Sequence, residues 1–172
     1  MSASDLFDLM RQIRVAHGYL ELGMFEDACA ELDEIGPAHR LRLEVVLTRM
    51  EIFQTQKRWS EGAALGREAL PLHADCGPLY LVTAFAVRRS SGLEQAREIL
   101  LTGSEVLQTD PMYYFNLGCY ECQLGNLDEA KGWLQRAFSL DAKYRKISLT
   151  DADLEPLRDW LAGQSRESGS RP

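Results

Sequence analysis

The chain has 172 residues, 45% of them hydrophobic, and a formal net charge of −7. This is ordinary globular composition, sufficient for one core and short for two comfortable domains. The acidic balance disfavours nucleic-acid backbones, and no apolar run is long enough to cross a bilayer. "MSASDLFDLMRQIRVAHGYL" carries two Asp before its first Arg. It lacks the basic and unbroken apolar regions of a secretion signal, so a cytoplasmic protein with reduced cysteines is expected.

In chain order, "DLFDLMRQIRVAHGYLEL" predicts a first helix capped by Ser4, with Asp5 and Asp8 near its positive end. "FEDACAELDEI" predicts a second that stops at Gly36-Pro37. Pro37 is expected to open a long third helix reaching about Gln56. "WSEGAALGREAL" predicts a fourth, ended or kinked by Pro71. Helices over 78–90, 93–108, 112–124 and 127–140 follow. "TDADLEPLRDWLAG" reads as a capping helix, with Leu154, Leu157, Trp160 and Leu161 on one apolar stripe and Arg158 and Asp159 facing water. Residues 163–172 are polar and are expected to be disordered.

One phrase recurs. "GMFEDA" at 23–28, "KRWSEG" at 57–62, "SGLEQA" at 91–96 and "GNLDEA" at 125–130 each begin 34 residues after the one before. The frame gives four units, 9–42, 43–76, 77–110 and 111–144, followed by a capping segment over 145–162. A period of this size implies stacked supersecondary units.

The last unit, "PMYYFNLGCYECQLGNLDEAKGWLQRAFSLDAKY", resembles a tetratricopeptide repeat in Tyr114, Leu117, Gly118, Gly125, Leu127, Ala130, Leu134 and Ala137. Unit one keeps Ala16, Tyr19, Gly23, Phe25, Ala28 and Leu32, and unit three Tyr80, Ala84, Leu93, Ala96 and Leu100. "TRMEIFQTQKRWSEG", "NLGCYECQLGNLDEAKGWL" and "DADLEPLRDWL" carry a closer similarity to small bacterial tetratricopeptide proteins. The resemblance implies an all-α, right-handed α-solenoid of four tandem helix–turn–helix repeats with a C-terminal capping helix. Unit two departs most, with Met50 where a small residue is usual and Gly62 and Gly66 in its second helix. A volume swap is expected, Met50 filling the space both glycines vacate. Glu121 stands where the family places Tyr and is expected to be solvated.

Candidate chemistry is sparse. Cys119 and Cys122 form a Cys-x-x-Cys pair in mid-helix, away from the N-terminal position that activates redox thiols. A zinc site needs more ligands, and His17, His39, His73, Cys29 and Cys76 form no second close pair. The two cysteines are therefore read as packing or groove-lining residues, with no metal and no cofactor expected. His73, Asp75 and Cys76 fall in a turn bracketed by Pro71 and Pro78. Glu26-Asp27 and Asp128-Glu129 start second helices, where they complement the dipole. Arg88-Arg89 and "KYRK" at 143–146 are read as solvated faces, the former at a groove end. No phosphate loop or nucleophile elbow occurs.

The resemblance further implies a concave groove lined by the first helices. Its positions are Met10, Ile13, Arg14 and His17; Leu47, Thr48 and Glu51; Leu81, Val82, Phe85, Arg88 and Arg89; and Met112, Phe115, Asn116, Cys119 and Cys122. The family's carboxylate clamp is absent, since Ile13, His17, Thr48, Pro78 and Val82 occupy its positions. The expected function is non-enzymatic binding of a partner peptide or helix, with no nucleic acid and no membrane. A secretion-type chaperone for apolar segments is the alternative. RNA binding by a helical-repeat code fits the charge and the repeat pattern poorly.

Overall fold

The computed structural model describes residues 3–167. Among them the chain is all-α, with eleven α-helices and two short 3-10 segments. Four turns keep its period. The N–H groups of Met24, Arg58, Gly92 and Asn126 donate to the carbonyls of Tyr19, Phe53, Val87 and Glu121, at 2.9, 2.8, 3.2 and 2.9 Å. Each bond closes from a residue back to the one five before it, which ends a helix through a left-handed residue. Gly23 (φ 73°), Lys57 (φ 58°) and Gly125 (φ 85°) supply that residue in the first, second and fourth turns. In the third, Gly92 itself takes φ 112°, while Ser91 stays at φ −132°.

The chain divides into two compact units after Gly92. The first holds α1 (Ala3–Glu21), α2 (Phe25–Asp33), α3 (Leu43–Thr55), α4 (Trp59–Ala69) and α5 (Gly77–Ser90). Small residues sit where helices meet: Ala16 and Ala28 are fully buried, beside Leu9, Ile13, Leu32, Ile35, Val45 and Ile52. α1 already includes Ser4, so the expected cap position is helical. Pro37 does not open α3. Residues 37–42 form successive turns, with His39 N–H on Gly36 O at 2.9 Å and Arg42 N–H on His39 O at 3.0 Å. The helix instead starts at Leu43, the first residue of the 34-residue frame. The period outranks the local proline preference.

Of the two glycines in the expected volume swap, Met50 lies near Gly62 alone, and there behind Ala86 and Phe53. A Cβ on Gly62 would meet Met50 Sδ at 3.9 Å, after Ala86 at 3.4 Å and Phe53 at 3.7 Å. A Cβ on Gly66 would meet Thr83, with Cγ2 at 2.6 Å and Cβ at 2.9 Å. Gly66 thus accommodates α5 rather than Met50. Thr83 is fully buried there, and its hydroxyl has no hydrogen-bond partner.

The second unit holds α6 (Leu93–Thr102), α7 (Ser104–Leu107), α8 (Pro111–Gln123), α9 (Leu127–Leu140), α10 (Lys143–Ser148) and α11 (Arg158–Glu167). The helix expected over 93–108 is interrupted at Gly103, giving α6 and α7. α8 starts with Asp110, whose side chain accepts from Met112 N–H at 2.8 Å, and Pro111 takes the first helical position. α8 and α9 approach at Gly118, where a Cβ would meet Leu134 Cγ at 2.7 Å. Burial of the whole Leu134 side chain contributes about 1.5–3 kcal/mol to folding.

Glu121 is not solvated. It is 1% exposed, paired with Arg97 of α6 and accepting from Asn126 Nδ2 at 2.7 Å. The family's aromatic position is filled here by a hydrogen-bonded carboxylate, which burial tolerates only because both oxygens have donors.

The cap is two pieces. Ala152–Leu157 is a 3-10 segment containing Pro156, and α11 follows. Proline cannot donate to a helical ladder, which explains the break. Leu154, Leu157 and Leu161 are buried, and Trp160 stacks on Phe138 with centroids 6.5 Å apart. Arg158 does not simply face water. It is half-buried and donates to Leu149 O and to Glu155. α11 also extends helix through 163–167 of the expected tail. Residues 168–172 lie outside the described part.

Candidate partner-binding face

In the first unit α1 packs on α3, and α3 on α5. The candidate groove residues are spaced four or three apart on each helix, which places them on one helical face. On α1, Met10 is 42% exposed, and Arg14 and His17 are exposed. On α3, Leu47 is half-buried and Glu51 exposed. On α5, Leu81, Val82, Phe85 and Arg88 are half-buried and Arg89 is exposed. Ile13 and Thr48 are the buried exceptions. Ile13 points into the core with Leu9 and Ala16.

Two interactions tie these helices together. Thr48 is buried, and its hydroxyl donates to Glu44 O at 2.8 Å. With that proton engaged, its oxygen accepts from His17 Nε2–H across 3.1 Å. The second is an aromatic corner. Phe85 meets Trp59 of α4 edge-on at 5.6 Å, and the Arg89 guanidinium lies 3.9 Å from the Phe85 centroid and 5.1 Å from that of Trp59. Such cation–π contacts orient an exposed arginine at about 0.5–1 kcal/mol. Trp59 is absent from the sequence-derived set because it belongs to a second helix. Its place directly after the second turn was the available clue.

In the second unit the expected wall is covered by the chain itself. Phe115, Cys119 and Cys122 are buried, whereas Asn116 is half-buried and Met112 exposed. Tyr144 of α10 lies over Phe115 with ring centroids 5.0 Å apart. The 3-10 segment Ala152–Leu157 packs on α8, and Gln123 Nε2 donates to Asp153 O at 2.7 Å. Burial pushes the Cys122 thiol up in pKa, and the nearby Asp153 and Asp151 carboxylates push it further. An elevated thiol pKa is the opposite of what redox or nucleophilic chemistry requires.

The remaining motifs form no reactive constellation. His73 Nε2 faces Leu41 O at 2.7 Å, which engages its ring with backbone rather than with Cys76. Asp128 pairs with Lys131, which holds its carboxyl below the usual range. The one metal-ligating group among the described residues is Cys119 with Asp151 and Asp153. A search for histidine and cysteine partners could not find it, because the cap contributes carboxylates.

No protein-family model and no curated protein sequence matches this chain. Solved structures do. A crystal structure of MamA protein aligns with a TM-score of 0.78 and 14% identity, covering 92% of this chain and 88% of the other. MamA from AMB-1 aligns with a TM-score of 0.70 and 16% identity over 96% and 90%. A Podosopora anserina putative kinesin light chain with nearly identical TPR-like repeats aligns with a TM-score of 0.56 and 15% identity over 98% and 92%. At these identities the likeness is one of fold, and the fold is the tetratricopeptide-like helical repeat that the resemblance of the repeat units implied.

Proposed function

We propose that this chain is a non-enzymatic protein-interaction module that binds a peptide or helix across α1, α3 and α5. The observation that carries the reading is the composition of that face. Met10, Leu47, Leu81 and Phe85 retain accessible apolar surface, with Arg14, Glu51 and Arg89 exposed among them. An apolar strip with charged neighbours is the usual anatomy of a partner site. The partner contacts side chains rather than a free carboxylate terminus. Ile13 is buried in the core and Thr48 is engaged with Glu44 and His17, so neither is placed to clamp an anion. The net charge of −7 supports a protein partner over a nucleic acid. No helix among the described residues is long and apolar enough to cross a membrane.

The test is affinity capture with wild type and a Leu47→Glu/Leu81→Glu variant, after thermal melts establish equal folding. A carboxylate forced into an apolar interface leaves an unpaired charge to bury, so the double variant should release specific partners. Partners retained by both proteins would refute binding at this face. Recovery of an apolar secreted protein would direct attention to the secretion-chaperone form of the same reading.

A further inference from the structure

We propose that Cys119, Asp151 and Asp153 bind a divalent cation of borderline softness, of the zinc class, which staples the last repeat to the C-terminal segment. The thiol sulfur and one oxygen of each carboxylate lie within 4.8 Å of one another. They come from two separate elements, α8 and the start of the 3-10 segment. This departs from the expectation that Cys119 only packs.

The local geometry holds the donors together. Asp151 Oδ1 accepts from Asp153 N–H at 2.9 Å, which leaves its second oxygen for a ligand. Gln123, one helical turn after Cys119 on the same face of α8, grips the Asp153 carbonyl at 2.7 Å. The loop bearing both carboxylates is therefore anchored beside the thiol, and Cys119 is 3% exposed.

Ligand chemistry selects the ion. A thiolate with two carboxylates suits zinc and its spectroscopic surrogates cadmium and cobalt, whereas calcium and magnesium take oxygen alone. Tetrahedral ligation at about 2.3 Å to sulfur and about 2.1 Å to oxygen places the donors roughly 3.6 Å apart. The donors, now within 4.8 Å of one another, must close by about an ångström on binding. Three protein ligands leave the fourth position to water. On binding, the Cys119 S–H bond breaks, its electron pair stays on sulfur to form the S–metal bond, and one proton is released to solvent.

The experiment titrates Cd2+ into the full-length, reduced chain carrying Cys29→Ser and Cys76→Ser, without chelating buffer. The expected result is an ultraviolet thiolate-to-metal absorption saturating at one equivalent, one proton released per ion, and a higher melting temperature. Cys119→Ala should abolish the absorption and Cys122→Ala should retain it. Asp151→Asn/Asp153→Asn should weaken binding at least tenfold, with the amide oxygen at position 151 keeping the cap and the metal-free melt recorded for each protein. The asparagine pair decides the matter if Cys119→Ala fails to fold. The proposal is overturned by no absorption at one equivalent, by absorption that survives Cys119→Ala, by absorption that depends on Cys122 alone, or by unchanged affinity in the asparagine pair.

Discussion

The α8–α9 hairpin and the α4–α5 pair solve one packing problem from opposite sides. In the hairpin, Gly118 lies in the first helix and receives Leu134 from the second helix of its own repeat. In α4–α5, Gly66 lies in a second helix and receives Thr83 from the first helix of the next repeat. A close approach needs one vacant Cβ, and either side can provide it. Repeat two looks degenerate against the consensus because its vacancy has moved to a different interface. The exchange has a polar cost. Leu134 fills its recess with methyl groups, while Thr83 carries a buried hydroxyl without a partner.

The sharpest way to break this comparison is to ask whether the regular-looking repeat is regular energetically. Its fully buried Glu121 depends on Arg97. Arg97→Met should destabilise by about 3 kcal/mol, near the low end for stranding a buried charge because Arg97 is 37% exposed. Chemical denaturation measures it. A loss under about 1 kcal/mol would mean that Asn126 and water suffice.

Gly66→Ala comes next, at about 2 kcal/mol, from overpacking against Thr83 that outweighs the helix propensity of alanine. Gly118→Ala should cost less, since Leu134 has more rotamer freedom than a β-branched threonine. Equal losses in denaturant midpoints would erase the distinction between the two sites. Thr83→Val tests the polar cost directly. It keeps the shape and removes the orphan hydroxyl, so stability should rise by about 1 kcal/mol. A fall in melting temperature would reveal a hydrogen bond at that hydroxyl.

The smallest effect belongs to the second turn. Lys57 occupies a left-handed conformation at φ 58° that costs a non-glycine residue about 1 kcal/mol or more. Lys57→Gly should recover roughly 0.5 kcal/mol after the entropy of the unfolded chain is counted. A chevron analysis showing no gain would place compensating contacts at the Lys57 side chain.

The period, the helices and most interior small residues were legible in the sequence because backbone geometry repeats every 34 residues. Ala16, Ala28, Ala84, Ala96, Ala130 and Ala137 are all fully buried. What was illegible depends on contacts distant in sequence. Glu121 appeared solvated because Arg97, 24 residues earlier, gives no local sign of reaching it. Pro37 suggested a helix start because its local preference is strong, and the repeat register prevailed. On α1, α3 and α5 the exposure of the candidate residues follows helical spacing except at buried Ile13 and Thr48. On α8, Phe115, Cys119 and Cys122 are buried, with Tyr144 over Phe115 and the Ala152–Leu157 segment packed on the helix. A consensus for repeats says nothing about the piece that ends them.

The four turn bonds, donated by residues 24, 58, 92 and 126, have a further consequence. The chain keeps time by its peptide groups. Side chains at the left-handed position change from glycine to lysine, and in the third turn that position moves by one residue, yet the closing bond never slips phase. A repeat can therefore drift far in composition and still hand the next one a helix that begins at the right place. Errors within one repeat are erased at its turn rather than passed along.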